Sequence, residues 1–178
     1  MNNDVKKVLV SQEQITERAK EIGKQISEDY KDKYPILIAL LKGSVPFLSE
    51  LIKHIDIDME IDFMDVSSYA GTQSTGEVKI IKDLDRSIKD CDVIIVEDII
   101  DTGRTLKTVT ELLYSKGAKS VKIVTLLNKQ ERRVVDIDAD YVAFEIENEF
   151  VIGFGLDFNE KYRNLPYVGV LKEEIYKE

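Results

Sequence analysis

The chain has 178 residues, of which 43% are hydrophobic and 33% are charged, and this size and balance are typical of one folded, water-soluble unit. Its 34 acidic residues outnumber the 25 basic ones, and the net charge of −9 argues against a surface that neutralises a nucleic-acid backbone. A single cysteine and a single histidine exclude an intramolecular disulfide and a zinc site built from several Cys and His ligands.

The beginning of the chain carries no signal for export or membrane insertion. It reads Met-Asn-Asn-Asp-Val-Lys-Lys, without the apolar core of a signal peptide, and no run of about 18 apolar residues occurs later. We therefore expect a cytoplasmic protein with no membrane and no nucleic-acid partner. We also expect residues 1–178 to form a single domain.

The first predicted element is an amphipathic helix from residue 11 to about residue 30. Ser11 and Gln14 have the spacing of a capping box, which is typical of a helix N-terminus. Apolar residues then recur on one helical face: Ile15, Ala19, Ile22 and Ile26. The pattern indicates a scaffold helix.

A continuous apolar run, residues 36–41, predicts a strand that is buried on both faces. Lys42 and Gly43 follow it, and Ser44 and Pro46 suit the N-cap and the first turn of a helix. In open α/β sheets, ligands bind at the carboxyl ends of strands, so Lys42 places a cation where an anion would bind. An ordinary turn is the alternative interpretation.

Residues 56–63 alternate between acidic and apolar side chains, which predicts a strand with one face on the core and an acidic face in water. A polar segment of small residues follows from Ser67 to Gly76, and residues 78–81 resume as a strand. A loop of this length between neighbouring strands is typical of a functional segment. A floppy hairpin tip is the alternative.

The most informative stretch runs from Val93 to Thr105. Residues 93–96 are β-branched and predict a buried strand, and the leucine and valine spacing after residue 105 predicts a helix. The acidic pair Glu97 and Asp98 and the segment 101–105 lie between them. The glycine, the hydroxyls and the N–H groups of a helix N-terminus suit a phosphate, whereas the carboxylates suit ribose hydroxyls or a bridging cation. Solvated caps are the alternative role of these acids.

The remaining part of the chain adds two predicted strands and a closing strand. Residues 121–127 predict the next parallel strand, with Lys129 at its carboxyl end, and residues 141–144 predict a further short strand. A short strand over residues 167–171 then precedes a charged tail. Taken alone, Lys129 is an ordinary exposed lysine and Phe150 an ordinary core residue.

The stretch from Val93 to Thr105 resembles the phosphoribosyl diphosphate (PRPP) signature of the phosphoribosyltransferase family, and its residue order is similar to that of the hypoxanthine-guanine branch. The resemblance extends from about Leu37 to about Val170. It implies a type I phosphoribosyltransferase-like α/β fold, doubly wound, with a mainly parallel sheet, helices on both faces and a small hood built from both chain ends. The implied reaction transfers the phosphoribosyl group of PRPP to a 6-oxopurine, with Mg²⁺ as cofactor and diphosphate as leaving group.

The resemblance also assigns residues to roles. Asp101 is implied to be the catalytic base near nitrogen seven of the purine, and Ser68 and Tyr69 are implied to lie in a lid over about residues 67–76. The implied binding residues are Thr102, Gly103, Arg104 and Thr105 for the 5-phosphate; Lys42, Gly43 and Arg163 for diphosphate; Glu97, Asp98 and Asp157 for metal; and Lys129, Phe150, Val151 and Asp157 for the purine. It further implies a strained peptide before Lys42. We also expect a homo-oligomer, either a dimer or a tetramer.

Three other functions fit parts of the sequence. A PRPP-sensing regulator on the same fold would keep the signature but would usually add a basic nucleic-acid face. An aspartic protease would contain the triplet Asp101-Thr102-Gly103 in an all-β context rather than at the start of a helix. A phospho-acceptor receiver domain would explain the acidic pair after a strand, but it would not explain the segment 102–105.

Overall fold

The computed structural model describes residues 1–68 and 78–177. The predicted lid over residues 67–76 lies for the most part outside these ranges, as does Tyr69, so the lid stays a prediction. Within the described ranges, no helix is both long enough and apolar enough to cross a bilayer.

The described chain forms nine strands and four α-helices. The strands are β1 (Val5–Val10), β2 (Ile36–Leu40), β3 (Glu60–Ser68), β4 (Val78–Lys82), β5 (Asp92–Ile100), β6 (Ser120–Asn128), β7 (Tyr141–Glu145), β8 (Val151–Ile152) and β9 (Val168–Leu171). The helices are α1 (Gln12–Asp29), α2 (Val45–Ile52), α3 (Arg104–Ser115) and α4 (Glu173–Tyr176). Short 3₁₀ turns precede β1 and follow β6.

Six strands form the central sheet in the spatial order β4-β3-β2-β5-β6-β7. Neighbouring strands from β3 through β7 pair in parallel, and only the edge strand β4 runs antiparallel to its neighbour in this described sheet. The carboxyl ends of β2, β5 and β6 therefore meet at one edge of the sheet. This arrangement confirms the predicted mainly parallel α/β fold.

The two central strands contribute to a separate hydrophobic cluster on each face of the sheet. Leu37 of β2 and Ile94 of β5 belong to a cluster that also contains side chains of α1 and α2. Ile38 and Ile95 belong to a second cluster, which contains side chains of α3. Both faces are therefore covered by helices, which explains why these strands read as continuous apolar runs.

The small hood is a separate three-stranded sheet in the order β1-β9-β8. Strand β1 pairs antiparallel with β9, from Val5 opposite Leu171 to Val10 opposite Val168. The first and the last strand of the described chain are thus neighbours. A third hydrophobic cluster supports the hood, and its buried members are Ile152, Tyr162, Leu165 and Leu171.

Predictions about two helix starts had different outcomes. The capping box at α1 is confirmed, because the Ser11 hydroxyl accepts from the Gln14 backbone N–H at 3.1 Å and the Gln14 side chain accepts from the Ser11 N–H at 2.8 Å. Ser44 occupies the N-cap position of α2 but makes no side-chain cap. Its buried hydroxyl donates to the Leu40 carbonyl at 2.5 Å, which ties the helix start to the end of β2.

The prediction that the acidic residues of segment 56–63 face water is wrong for Asp62, although Asp56 and Asp58 are exposed. The strand begins at Glu60, and Asp62 is buried while Ile61 is 46% exposed. The Asp62 carboxylate accepts from the backbone N–H groups of Phe63 at 2.7 Å and of Asp85 at 3.0 Å. A buried carboxylate is tolerated where such donors replace water, and alternation alone does not reveal that they are present.

Helix α1 contacts the backbone that follows α2 so closely that a glycine is required in α1 at the point of contact. A Cβ atom on Gly23 would lie 2.5 Å from the carbonyl oxygen and 2.7 Å from the carbonyl carbon of His54. Because His54 follows the C-terminal end of α2, this contact helps to set the position of the helix that begins next to Lys42 and Gly43.

We expect Gly23→Ala to lower the free energy of unfolding by about 1–3 kcal/mol, because the added methyl group meets backbone that no rotamer change can move. The higher helix propensity of alanine, worth about 1 kcal/mol, offsets only part of this cost. Urea denaturation measures the difference. Lys24→Ala, at an exposed position of the same helix, is the matched control and should stay within about 0.5 kcal/mol of the parent. An unchanged or raised midpoint for Gly23→Ala would contradict the expectation.

Candidate active site

Seven of the predicted site residues line one cavity at the carboxyl edge of the central sheet. The cavity has a volume of about 280 Å³ and opens between the ends of β2 and β5. Its polar wall includes Gly43, Glu97, Asp98, Asp101, Thr102, Gly103 and Thr105. The structure therefore brings together seven residues to which the family resemblance gives four different roles.

The turn between β5 and α3 has the geometry of an anion site. Gly103 precedes α3 with a φ of 83°, which favours glycine. A Cβ atom at this position would also lie 2.7 Å from the Ile137 side chain and 2.9 Å from the Arg133 side chain. The glycine thus allows the N-terminus of a 12-residue helix to open directly onto the cavity, where its N–H groups suit a phosphate.

Glu97 and Asp98 lie near the end of β5 in a setting that resists negative charge. Burial, followed by the charge of Asp98, raises the pKa of Glu97 well above its usual range. Burial also raises the pKa of Asp98, although the backbone N–H of Ile99, at 2.7 Å from its carboxylate, and the charge of Arg163 oppose that shift. A bound cation would relieve both carboxyl groups.

The donor set fits a hard divalent cation that shares its ligands with substrate oxygens. Mg²⁺ is commonly held by one or two carboxylates together with phosphate oxygens and water, and Glu97 and Asp98 supply two such carboxylates. Within residues 1–68 and 78–177, no group of three Asp, Glu, His or Cys side chains is placed to hold a metal ion by itself. Asp157, the third predicted metal residue, is therefore not part of one cluster with the acidic pair.

Three chain segments touch at Gly43. The peptide bond between Leu41 and Lys42 is cis, in line with the unusual peptide that the family resemblance implies. Gly43 packs against the Asp98 carboxylate so closely that a Cβ atom would overlap it. Gly155, with a φ of 101°, packs in the same way against the Gly43 carbonyl. The hood segment, the loop after β2 and the end of β5 are thus in direct contact.

Lys42 and Arg163, the two predicted diphosphate cations, share one carboxylate. The Lys42 ammonium lies 3.2 Å from Glu160, and the Arg163 guanidinium lies 3.1 Å from the other oxygen of the same side chain. Arg163 also donates to the Gly155 carbonyl at 2.7 Å and lies 3.3 Å from Asp157. Its Nε atom is buried, and no described residue accepts a hydrogen bond from it. The sequence had not assigned a role to Glu160, whose only signal was its spacing of three residues from Arg163.

Asp101 is held by two arginines that sequence reasoning missed. The Arg132 guanidinium donates to the Asp101 carboxylate at 3.0 Å. Arg133 donates to the backbone carbonyl of Asp101 at 2.5 Å and also to the Asn128 side chain. The signal available beforehand was the position of the two arginines, three and four residues after Lys129, just beyond the strand next to β5.

Lys129 is buried beside this group. Burial lowers the pKa of its ammonium, and the charge of Asp101 opposes that shift. The Lys129 backbone N–H donates to the carbonyl of Ile100 at 3.0 Å, which fixes the end of β6 against the end of β5. A buried ammonium at this place is suited to donate to a neutral carbonyl of a ligand.

The other predicted purine residues lie on the hood segment and outside the wall of the cavity as its described residues define it. Val151 is buried in β8, while the neighbouring Phe150 ring is 37% exposed. Asp157 accepts from the backbone N–H of Glu160 at 2.9 Å. Through Arg163 and Gly155 this segment contacts the loop at Gly43. The hood residues and the residues that line the cavity therefore border the same edge of the sheet.

Comparisons with known proteins identify the relatives of this arrangement. The model of the phosphoribosyl transferase domain family matches residues 9–159. A hypoxanthine-guanine phosphoribosyltransferase from Streptococcus agalactiae is 60% identical over 179 residues, covering 100% of this chain and 99% of the relative. A hypoxanthine phosphoribosyltransferase structure from Staphylococcus aureus has a TM-score of 0.97 at 55% identity and covers 100% of this chain and 97% of that one. A hypoxanthine-guanine phosphoribosyltransferase structure from Bacillus anthracis has a TM-score of 0.91 at 46% identity, with coverages of 94% and 99%.

In the metal-free protein, we expect Glu97→Gln to raise the free energy of unfolding at neutral pH. Because the folded state raises the pKa of Glu97, it keeps a proton that the unfolded chain releases above about pH 4.3. The stability of the parent therefore falls as pH rises from that value through the raised pKa, whereas glutamine has no such loss. The variant should therefore be more stable than the parent at pH 8, and the difference between them should widen as pH rises.

Urea denaturation in the presence of EDTA, between pH 4.5 and pH 8, measures this difference. Glu111→Gln, at an exposed position of α3, is the matched control and should follow the parent at every pH. If the difference in free energy of unfolding between Glu97→Gln and the parent does not widen as pH rises, the acidic pair does not lower the stability of the free protein.

Proposed function

Because the chain belongs to the phosphoribosyltransferase family, we propose that it transfers the 5-phosphoribosyl group of PRPP to a 6-oxopurine, hypoxanthine or guanine, and releases diphosphate. The observation that carries this proposal is the meeting of a phosphate-type turn, an acidic pair and a cationic loop around one cavity. The full-length relatives named for this activity support it.

The phosphate end of PRPP would lie on the turn before α3. The backbone N–H groups at the start of that helix and the hydroxyls of Thr102 and Thr105 suit the 5-phosphate, and Arg104 adds a cation. Gly103 lets the backbone approach the phosphate closely. Binding at this end would position the ribose over Glu97 and Asp98, which lie in the last part of β5.

The chemical step exchanges one bond at carbon one of the ribose for another. The bond to the diphosphate oxygen breaks while nitrogen nine of the purine forms the new bond, and the ribose carries oxocarbenium-like positive charge between the two. The family uses a divalent metal with PRPP, and we propose Mg²⁺, which when held by Glu97 and Asp98 would supply positive charge to the leaving oxygens. The acidic pair would also accept hydrogen bonds from the ribose hydroxyls.

The leaving diphosphate would be received by Lys42, by the backbone of Gly43 and by Arg163. In the free protein these two cations are occupied by Glu160, which the diphosphate must displace. The unpartnered Nε of Arg163 and its two side-chain amino groups give it donors for an oxyanion. The favourable free energy of diphosphate binding here therefore comes from replacing the Glu160 carboxylate by a more highly charged anion.

The purine would be selected at the ends of β6 and β8. Lys129 would donate to the carbonyl at position six, Phe150 would stack on the base, and the backbone at Val151 together with Asp157 would contact the base edge. Asp101 would accept the proton that leaves nitrogen seven, which requires its carboxylate to stay ionised. Arg132 donates to this carboxylate at 3.0 Å and orients it.

The competing functions do not fit the structure. The triplet at Asp101 precedes α3 in an α/β fold rather than lying in an all-β protein, so the aspartic protease interpretation is wrong. The PRPP-sensing regulator has no support from the relatives, and the net charge of −9 does not favour a nucleic-acid face. The receiver-domain interpretation leaves the phosphate turn unexplained.

We also propose that the enzyme works as a homo-oligomer. Three isoleucines of β3 and β4, at the edge of the central sheet, are exposed: Ile61 by 46%, Ile80 by 37% and Ile81 by 61%. Exposed apolar side chains on neighbouring strands are typical of a surface that another copy covers. Because Ile80 and Ile81 are consecutive residues of β4 and point to opposite faces, a second copy packed on one face of this edge would cover only one of these two.

The proposed function is tested directly by incubating the protein with PRPP and Mg²⁺ and with hypoxanthine, guanine, xanthine or adenine in turn. Formation of the nucleoside monophosphate together with diphosphate is the expected result for at least one 6-oxopurine. If no base yields a nucleotide, the proposal fails.

We expect Asp101→Asn to slow turnover by about 10²- to 10⁴-fold, because the amide cannot accept the purine proton as a carboxylate does. The affinity for PRPP with Mg²⁺, measured by calorimetry, should change little, since the phosphate turn and the acidic pair remain. Asp58→Asn, which removes one exposed carboxylate outside the site, is the control and should keep parental rates. Turnover of Asp101→Asn within a factor of two of the parent would show that Asp101 is not the base.

We expect Lys129→Ala to lose the preference for 6-oxopurines over adenine. Loss of a charge-assisted hydrogen bond of about 1.5–3 kcal/mol should lower kcat/KM for hypoxanthine by roughly 10- to 150-fold. The value of kcat/KM for adenine, which has no carbonyl at position six, should not change. Lys122→Ala, at an exposed position of β6, the strand that ends just before Lys129, should leave kcat/KM for both bases unchanged. Efficient use of adenine by the parent enzyme would exclude this role of Lys129.

A further inference from the structure

The Phe150 ring belongs to a group of three aromatic side chains on the hood. Tyr176, the last residue of α4, stacks on it with a centroid distance of 4.6 Å and an angle of 18° between the ring planes. Phe158 contacts it in a T-shaped arrangement at 5.6 Å and 85°. Phe150 nevertheless keeps 37% of its surface exposed, so a planar ligand still has surface on which to lie.

The position of Tyr176 is set by the hood and not by a flexible tail. Tyr176 and Phe158 both pack against the hydrophobic cluster of the hood, as does Ile175. The Leu171 backbone N–H donates to the Phe150 carbonyl at 2.9 Å, and α4 begins two residues after Leu171. The same short segment therefore fixes the backbone of Phe150 and places a second ring against its side chain.

We propose that Tyr176 is a positioning residue for the purine: it backs the Phe150 ring and holds it in the orientation in which the base stacks. The inference rests on the proposed function, because it takes Phe150 as the ring on which the purine lies. Tyr176 itself would not touch the base. The order of rings would be purine, Phe150 and Tyr176.

The physical effect of such a backing ring is to order Phe150 before the ligand arrives. An unsupported phenyl group on a partly exposed hood segment samples several orientations, and a ligand that needs one of them must immobilise it. A stacked neighbour removes that cost in advance and adds the offset-stacking attraction between rings. The backing ring should therefore raise the affinity for the purine. The affinity for PRPP, which binds at the other end of the site, should not depend on it.

The test is the kinetics of four variants with hypoxanthine at saturating PRPP and Mg²⁺. Tyr176→Ala and Tyr176→Leu should each raise KM for hypoxanthine by about 2- to 12-fold, the range of an aromatic pair, while kcat and the Kd of PRPP measured by calorimetry stay within about twofold. Tyr176→Phe should behave as the parent, since it keeps the ring. Leucine fills most of the space without a ring, so it separates stacking from packing.

The matched control is Ile175→Ala, in the same helix and against the same hydrophobic cluster but without a ring to stack. Its KM should equal that of the parent, and urea denaturation checks that each variant is folded. An equal rise in KM for Ile175→Ala and Tyr176→Ala would mean that the hood is merely weakened, and this would overturn the inference.

Two further outcomes also decide the question. A lower KM for hypoxanthine in Tyr176→Ala would show that Tyr176 occupies the place of the purine, the opposite of the proposed role. An unchanged KM in an active parent and in both ring-deleting variants would overturn the inference alone. A parent that forms no nucleotide from PRPP and any purine would instead remove the proposed function, and with it the ligand on which the inference rests.

Discussion

The site depends on one steric constraint, the contact of two glycines and a carboxylate. Gly43 lies against the Asp98 carboxylate and Gly155 lies against the Gly43 carbonyl, in both cases without room for a Cβ atom. This contact joins the loop after β2, the end of β5 and the hood. Because strands β2 and β5 are paired in register within a buried sheet, the loop cannot withdraw without disturbing the core. The spacing between cationic loop and acidic pair is therefore fixed before any ligand binds.

The electrostatics of the site follow from that geometry. An acidic chain has to bind highly anionic ligands, and it does so with a few cations held close to carboxylates rather than with a basic surface. In the free protein Glu160 neutralises Lys42 and Arg163, and Arg132 neutralises Asp101. Burial makes a negative charge on Glu97 and on Asp98 costly. The unliganded site is thus balanced at the cations and strained at the acidic pair, where a divalent cation would bind.

Sequence reasoning predicted the parts of the structure that depend on neighbours along the chain. The apolar runs of β2 and β5 and the strand-to-helix turn at Gly103 have local patterns, and the structure confirms these elements. The contacts of Asp101 with Arg132 and of Lys42 with Glu160 join residues that are 31 and 118 positions apart. No local periodicity encodes such pairs, because they arise only when the loops fold over the same sheet edge. The burial of Asp62 and the ring behind Phe150 escaped prediction for the same reason.

The hood joins strands that the ribosome makes at very different times. Strand β1 leaves the ribosome early, but its partner β9, Val168–Leu171, is made after the whole central sheet. During synthesis β1 therefore exists with an unpaired edge while the phosphate turn and the acidic pair already have their neighbouring strands. Closing a loop between such distant partners is also entropically slow. The hood is consequently assembled last, and a nascent chain arrested before residue 168 contains the turn at Gly103 and the acidic pair without the pairing of β1 and β9.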